Sequence, residues 1–375
     1  MASLPVDDWL KALSGPAGSD LYITVGAAPV LRGDAGFLLL AEAPLTTADV
    51  DAVVDHFLTP EQRAVFDRDR EFNMAWSLEG YGRFRINMFV QRQLPGLVIR
   101  KITTAIPKFS DLNVPDLLAD LIMEKRGLII IVGGTGSGKS TTLAAMIGHR
   151  NTSAPGHIIT IEDPVEFVHE HKQCIVTQRE VGVDTLSWEA ALKNTLRQKP
   201  DVILIGEIRD HMTMEHAVNI AETGHLALAT LHANNANQAI DRILSFFPQE
   251  QHRQVLMNLA MNLRAIVSQR LVHKVGGGRC AAIEILLNQG LIKDLIRKGE
   301  VKTIKQVMAE NAHNGMQTFD QALIALFLDG KISEETALAE ADNPADLKLA
   351  IQQRKLAASG GEAGLTQIDT SKLSL

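Results

Sequence analysis

The segment Gly133-Gly134-Thr135-Gly136-Ser137-Gly138-Lys139-Ser140 constrains this chain more than any other stretch. Four of its first six residues are glycine. Such a run adds nothing to a core and is conformationally loose, so it predicts a loop whose backbone must come close to something. It follows the apolar run "GLIIIV" and precedes "KSTTLAAMI", which reads as a helix. This strand–loop–helix setting is the one in which G-x-x-x-x-G-K-[ST] acts as a phosphate cradle. Successive backbone N–H groups turn inward toward an anion, and the helix adds its positive end. Gly133, Gly134, Thr135, Gly136, Ser137, Gly138, Lys139, Ser140 and Thr141 are therefore read as nucleotide-binding residues. Lys139 is placed to reach the β- and γ-phosphates of ATP, and the Ser140 hydroxyl to ligate Mg²⁺.

A cradle alone does not hydrolyse a nucleotide; groups that position water and metal are also needed. Four short apolar runs, "GLIIIV", "HIITIE", "DVILIGE" and "LALATL", alternate with helical stretches. That grammar predicts a parallel sheet buried on both faces, with a site at the carboxyl ends of its strands. Glu207 ends the third run in a Walker B-like position, suited to the Mg²⁺ shell. Glu162, Asp163 and Glu166 follow the second, where a carboxylate can orient an attacking water. His225 and His232 bracket the fourth, suited to sensing a γ-phosphate or coupling to a neighbouring subunit.

The first hundred residues read as a separate α+β module. Helices are predicted at Val6–Leu13, from Thr46 in capping-box spacing with Asp49, and from Thr59 with Pro60 at the first position. Strands are predicted at Leu21–Val25 and Phe37–Leu40, then a meander through "EFNMAWSL", "GRFRINMFV" and "LPGLVIRKIT". The expected divisions are an N-terminal α+β domain over 1–103, a linker over 104–113, an ATPase core over 114–288, a helical C-terminal subdomain over 289–355 and a disordered tail over 356–375.

Composition narrows the function. A net charge of −7 and no basic aromatic stripe argue against a nucleic-acid translocase. The two cysteines, Cys174 and Cys280, make no CxxC pair, hence no zinc or disulfide framework. "GLIIIVGG" falls far short of the roughly 20 apolar residues that span a bilayer, so no transmembrane segment is expected.

In order, "GGTGSGKST", "TIEDPVEF", "LIGEIRD" and "TGHLALATLHAN" resemble the Walker A, Asp box, Walker B and His box of the secretion ATPase superfamily. Within it the chain is similar to the type IV pilus retraction ATPases of the PilT/PilU group, to which "NGMQTFDQALIALFLDGKIS" also corresponds. In place of the PilT-type "AIRNLI" segment stands "GLIKDLIRKGE", and "ADNPADLKLAIQQRKL" follows, both features of the PilU side. Extension and secretion members carry a four-cysteine zinc insertion that this chain lacks.

The resemblance implies a PAS-like N-terminal domain, a RecA-like core and a helical C-terminal bundle. It implies Lys139 on phosphate, Ser140 and Glu207 on Mg²⁺, Glu166 as catalytic carboxylate, and His225 and His232 in the His box. It further implies arginines from the N-terminal domain, Arg85 and Arg100, on the nucleotide, with Arg83 ranked below them. It implies a cytoplasmic homo-hexamer at the inner membrane, working through the pilus platform protein beside a PilT-like ATPase. The alternative is a weakly catalytic ring subunit that recruits or stabilises a PilT-like hexamer.

Overall fold

The structure is a computed structural model of the 375-residue chain and describes residues 4–15, 18–33, 36–102 and 105–359. Most of the tail expected over 356–375 lies outside the described residues; its first four residues continue the helix Pro344–Ser359. The fold is mixed α/β, in two compact units. One holds the chain up to Asp111 with Ile122–Leu128 and Ser140–Thr230; the other holds Leu112–Leu121, Ile129–Lys139 and the chain from Leu231 on.

In the first unit, strands β1 (Asp20–Thr24), β2 (Val30–Gly33), β3 (Gly36–Leu39), β4 (Glu71–Leu78), β5 (Gly82–Gln91) and β6 (Leu94–Ile102) form a sheet in the order β3-β2-β1-β6-β5-β4. Every neighbouring pair is antiparallel. Alternation sets the two faces. Phe84, Ile86 and Met88 of β5 are buried, while Arg83, Arg85 and Asn87 lie between them on the other face. Helices Val6–Ser14 and Thr47–Phe57 bring Trp9, Leu13, Val50 and Phe57 onto the same core as Leu21, Ile23 and Ile99. The predicted capping box of Thr46 with Asp49 forms, and Thr59 makes a second one with Gln62 ahead of Pro60; caps of this kind contribute about 1 kcal/mol each. The expected linker contains a short helix, Phe109–Leu112.

The apolar runs become β7 (Gly127–Val132), β8 (Gly156–Glu162), β10 (Val202–Ile205) and β11 (Leu226–Leu231), with an unanticipated strand, β9 (Cys174–Glu180). In the first unit β11-β10-β8-β9 run parallel, with Val202 opposite Leu226 and Ile158, and Gly156 opposite Cys174. Every residue of β10 and β11 is buried, as two-sided coverage requires.

In the second unit β7 lies beside the hairpin β12 (Leu263–His273) and β13 (Arg279–Leu287), in the order β13-β12-β7. Helices from Leu291 to Ser359 complete it, and Phe319, Leu323, Ile332, Leu347 and Ile351 form their shared core with Val272 of β12. No helix among the described residues is long and apolar enough to cross a membrane.

Candidate functional site

The glycine loop leaves β7 and enters the helix Lys139–Ser153. Gly133, Gly136 and Gly138 take φ of 156°, 75° and 87°, backbone that side chains rarely adopt. Space is equally strict at Gly133, where a Cβ would stand 2.4 Å from Ser137 Oγ and 2.5 Å from the carbonyl oxygen of Gln269. A Cβ at Gly138 would meet Gln269 Nε2 at 2.7 Å. Gln269, on β12, is thus the wall behind the loop, a residue the sequence reading did not single out.

Two features of the loop suit an anionic ligand. Ser137 Oγ is buried and has no hydrogen-bond partner among the described residues. Lys139 folds its ammonium over the loop, Nζ donating to Gly133 O at 2.9 Å and Gly134 O at 3.0 Å. A cation and an unspent hydroxyl on a collar of turned amides are the donor set that phosphate oxygens require. Beside the loop lie two cavities of the second unit. One, of about 340 Å³, is lined by Gly134, His232, Asn234 and Arg242. The other, of about 610 Å³, is lined by Gly134–Ser137, Arg270, Leu271 and Arg279. His232, one residue past β11, is thereby brought to the loop.

The carboxylates gather in the first unit. The turn 206–208 is stitched between strand ends: Gly206 N–H donates to Ile161 O at 2.8 Å and Ile208 N–H to Thr230 O at 2.8 Å. This holds Glu207 past the carboxyl end of β10. Its Oε2 accepts from Arg209 Nε at 2.8 Å, and Arg209 Nη1 also reaches Asp163 Oδ2 at 3.1 Å. Glu207 first, with burial opposing, keeps the Arg209 guanidinium firmly charged. Arg209 was not anticipated; its place two residues after Glu207 in "GEIRD" was the available signal.

Beyond β8, burial pushes the Glu162 carboxyl above the usual carboxylate range. It accepts from Thr160 Oγ1 at 2.6 Å, Gln178 Nε2 at 3.2 Å and the backbone N–H of Glu166. The loop that follows is pinned by β9. Glu180 accepts from Val165 N–H at 3.1 Å, and Gln178 bonds Phe167 O and His169 N–H at 2.9 and 2.7 Å. Glu166 stands exposed on that pinned loop.

Arg85 and Arg83 lie near enough to Glu180 to favour its charged form against burial, which raises its pKa. Arg83 Nε is buried with no hydrogen-bond partner among the described residues. Arg100 is tied to Asp20, Nε to Oδ1 at 2.7 Å. His225 lies at the amino end of β11, its Nδ1 3.0 Å from Thr223 Oγ1. Six strand residues, about 20 Å of extended chain, separate it from His232.

His169 closes the pinned loop and is buried; burial, then Lys172, holds its pKa down at about 4. The folded state keeps this imidazole neutral where the unfolded chain protonates it. Its stabilisation is therefore full above about pH 6.5 and is lost as pH falls toward 4. The raised Glu162 and Glu180 act in the opposite sense, losing stability as pH rises through their folded pKa. Urea unfolding of wild type and His169→Gln at pH 7 and pH 4 isolates the histidine: wild type should lose about 3 kcal/mol more on acidification. Parallel pH curves for the two chains would contradict it.

A glycine cradle between strand and helix, with acidic turns after neighbouring parallel strands, defines a P-loop nucleoside-triphosphatase. The family model described as "Type II/IV secretion system protein" matches residues 82–366. The chain is 53% identical over 344 residues to the type IV pilus ATPase PilU of Pseudomonas aeruginosa, covering 92% of this chain and 90% of that one. It is 40% identical over 336 residues to the type IV pilus retraction ATPase PilT of the same organism, covering 89% and 98%. The crystal structure of the pilus retraction motor PilT with bound ADP matches at a TM-score of 0.83 and 38% identity, covering 92% of this chain and 98% of that one. The chain belongs to the PilT/PilU branch of the type II/IV secretion ATPase family.

Proposed function

We propose that the chain hydrolyses ATP to power type IV pilus retraction, as a PilU-like motor working beside a PilT-like ATPase. The observation that supports this most is the 53% identity to PilU across nine-tenths of both chains. ATP binds on Gly133–Thr141, where Lys139 exchanges its loop carbonyls for the β- and γ-phosphates. Bound Mg²⁺ supplies charge neutralisation at those phosphates; Ser140 and Glu207 hold it, with Glu207 oriented by Arg209. Glu166 takes the proton of the attacking water, and Arg85 and Arg100 spread the phosphoryl charge, as guanidinium forks do. His232 reads the terminal phosphate, and His225, at the other end of β11, serves coupling to an adjacent protomer.

The working form in this reading is a homo-hexamer at the cytoplasmic face of the inner membrane, moving pilin through the platform protein. Retraction in a strain lacking the chain, restored with wild type or Glu207→Ala, tests it. Wild type should restore pilus retraction and Glu207→Ala should not. Equal restoration by both would mean that the chain serves as a scaffold and not as a motor.

A further inference from the structure

Arg85 of β5 and Arg100 of β6 are in direct register. Residues so paired stand about 4.5–5.5 Å apart at Cα, and like charges there repel. The row continues on the other side of Arg100: Asp20 of β1 is opposite it, and Arg32 of β2 is opposite Asp20. Asp20 is 6% exposed, whereas the side chain of Arg100 is 70% exposed. A pair with one partner so open to water contributes little to stability.

The geometry of the pair says more than its energy. Both oxygens of Asp20 are fixed, Oδ1 by Arg100 Nε at 2.7 Å and Oδ2 by Ser19 Oγ at 3.0 Å. The carboxylate takes the guanidinium by Nε alone. The two terminal amino groups of Arg100 make no hydrogen bond among the described residues, and neither does the Arg85 side chain. Those terminal groups form the edge that forks onto phosphate. Glu180 lies near both Arg85 and Arg83, so the three guanidiniums of Arg83, Arg85 and Arg100 outnumber the carboxylates Glu180 and Asp20.

We infer that Asp20 is a positioning residue for this arginine pair, locking Arg100 through Nε so that its outer edge and Arg85 engage one polyphosphate together. The inference rests on the proposed role of Arg100 in ATP hydrolysis. Asp20 itself touches no nucleotide; it removes the rotamer freedom of a long exposed side chain before the phosphate arrives, so the cost of ordering is already met.

The test is Mg²⁺-dependent ATP turnover by the full chain carrying Asp20→Ala, Asp20→Asn, Arg100→Ala or Asp20→Ala with Arg100→Ala, with melting temperature measured on each. Asp20→Ala should lower kcat by up to about 5-fold, the most that so exposed a pair can hold in place, with KM and melting temperature unchanged. Asp20→Asn keeps an acceptor for Nε and should recover much of that loss. The double variant should match Arg100→Ala alone, because Asp20 acts only through Arg100. Losses that multiply in the double variant, or a fall in melting temperature with kcat intact, would make Asp20 a structural residue and overturn the inference. Normal turnover by Arg100→Ala would instead remove the arginine assignment itself, an outcome separable from any effect of Asp20.

Discussion

Lys139→Ala should leave ATP turnover lower by about 10²–10³-fold or more, in protein that still folds. The side chain is the one fixed cation that the loop carries in its own hydrogen bonds, through Gly133 O and Gly134 O. When a triphosphate occupies the cradle, those neutral acceptors give way to charged oxygens, and hydrogen bonds to charged groups contribute about 1.5–3 kcal/mol each. Charge that builds on the phosphoryl oxygens during transfer increases the difference, so the loss falls on kcat more than on affinity. The fold should tolerate the change. Lys139 opens the helix Lys139–Ser153, alanine is the best helix former, and Gly134, whose carbonyl is released, is exposed. Phosphate release and a thermal melt on the purified variant check both halves. Turnover near wild type would show that the loop is not the catalytic cradle.

That prediction draws on the part of the molecule most legible in sequence. Three glycines before Gly-Lys-Ser demand backbone that only a strand-to-helix turn supplies, and the turn is there. The buried strands were equally legible, because a parallel strand covered on both faces must be a continuous apolar run. β9 escaped notice for the converse reason. It turns Cys174, Val176 and Glu180 inward but leaves Ile175 exposed, at the edge of the order β11-β10-β8-β9, so its signal was weak. Yet Gln178 and Glu180 of that strand pin the loop bearing Glu166. Gln269 was missed because one amide in "IVSQRLVH" carries no mark of standing against Gly133 and Gly138. Arg100 was legible as an arginine in a strand; its tether to Asp20, 80 residues away, depends on a register that only pairing of β1 with β6 creates.

The same pinning separates the acids beyond β8 and carries the second large effect. Glu166→Gln should lower kcat by about 10²–10⁴-fold, the usual contribution of a general base, while nucleotide affinity holds. A base needs an unoccupied lone pair. Glu162 is crowded: Thr160, Gln178 and the N–H of Glu166 take three of its four acceptor sites, and burial favours its protonated form. Asp163 is engaged by Arg209. Glu207 is held by the same guanidinium, in keeping with a metal-shell role. Glu166 is exposed, with no side-chain hydrogen bond among the described residues, on a segment fixed on both sides at Val165 and Phe167. Glutamine preserves its shape and removes its basicity, so stability and binding should stay put. Single-turnover hydrolysis measured beside equilibrium binding of a fluorescent ATP analogue separates chemistry from affinity. If Glu166→Gln hydrolyses normally while Glu162→Gln does not, the proton goes to the Glu162 carboxyl, through the one acceptor site that its three donors leave.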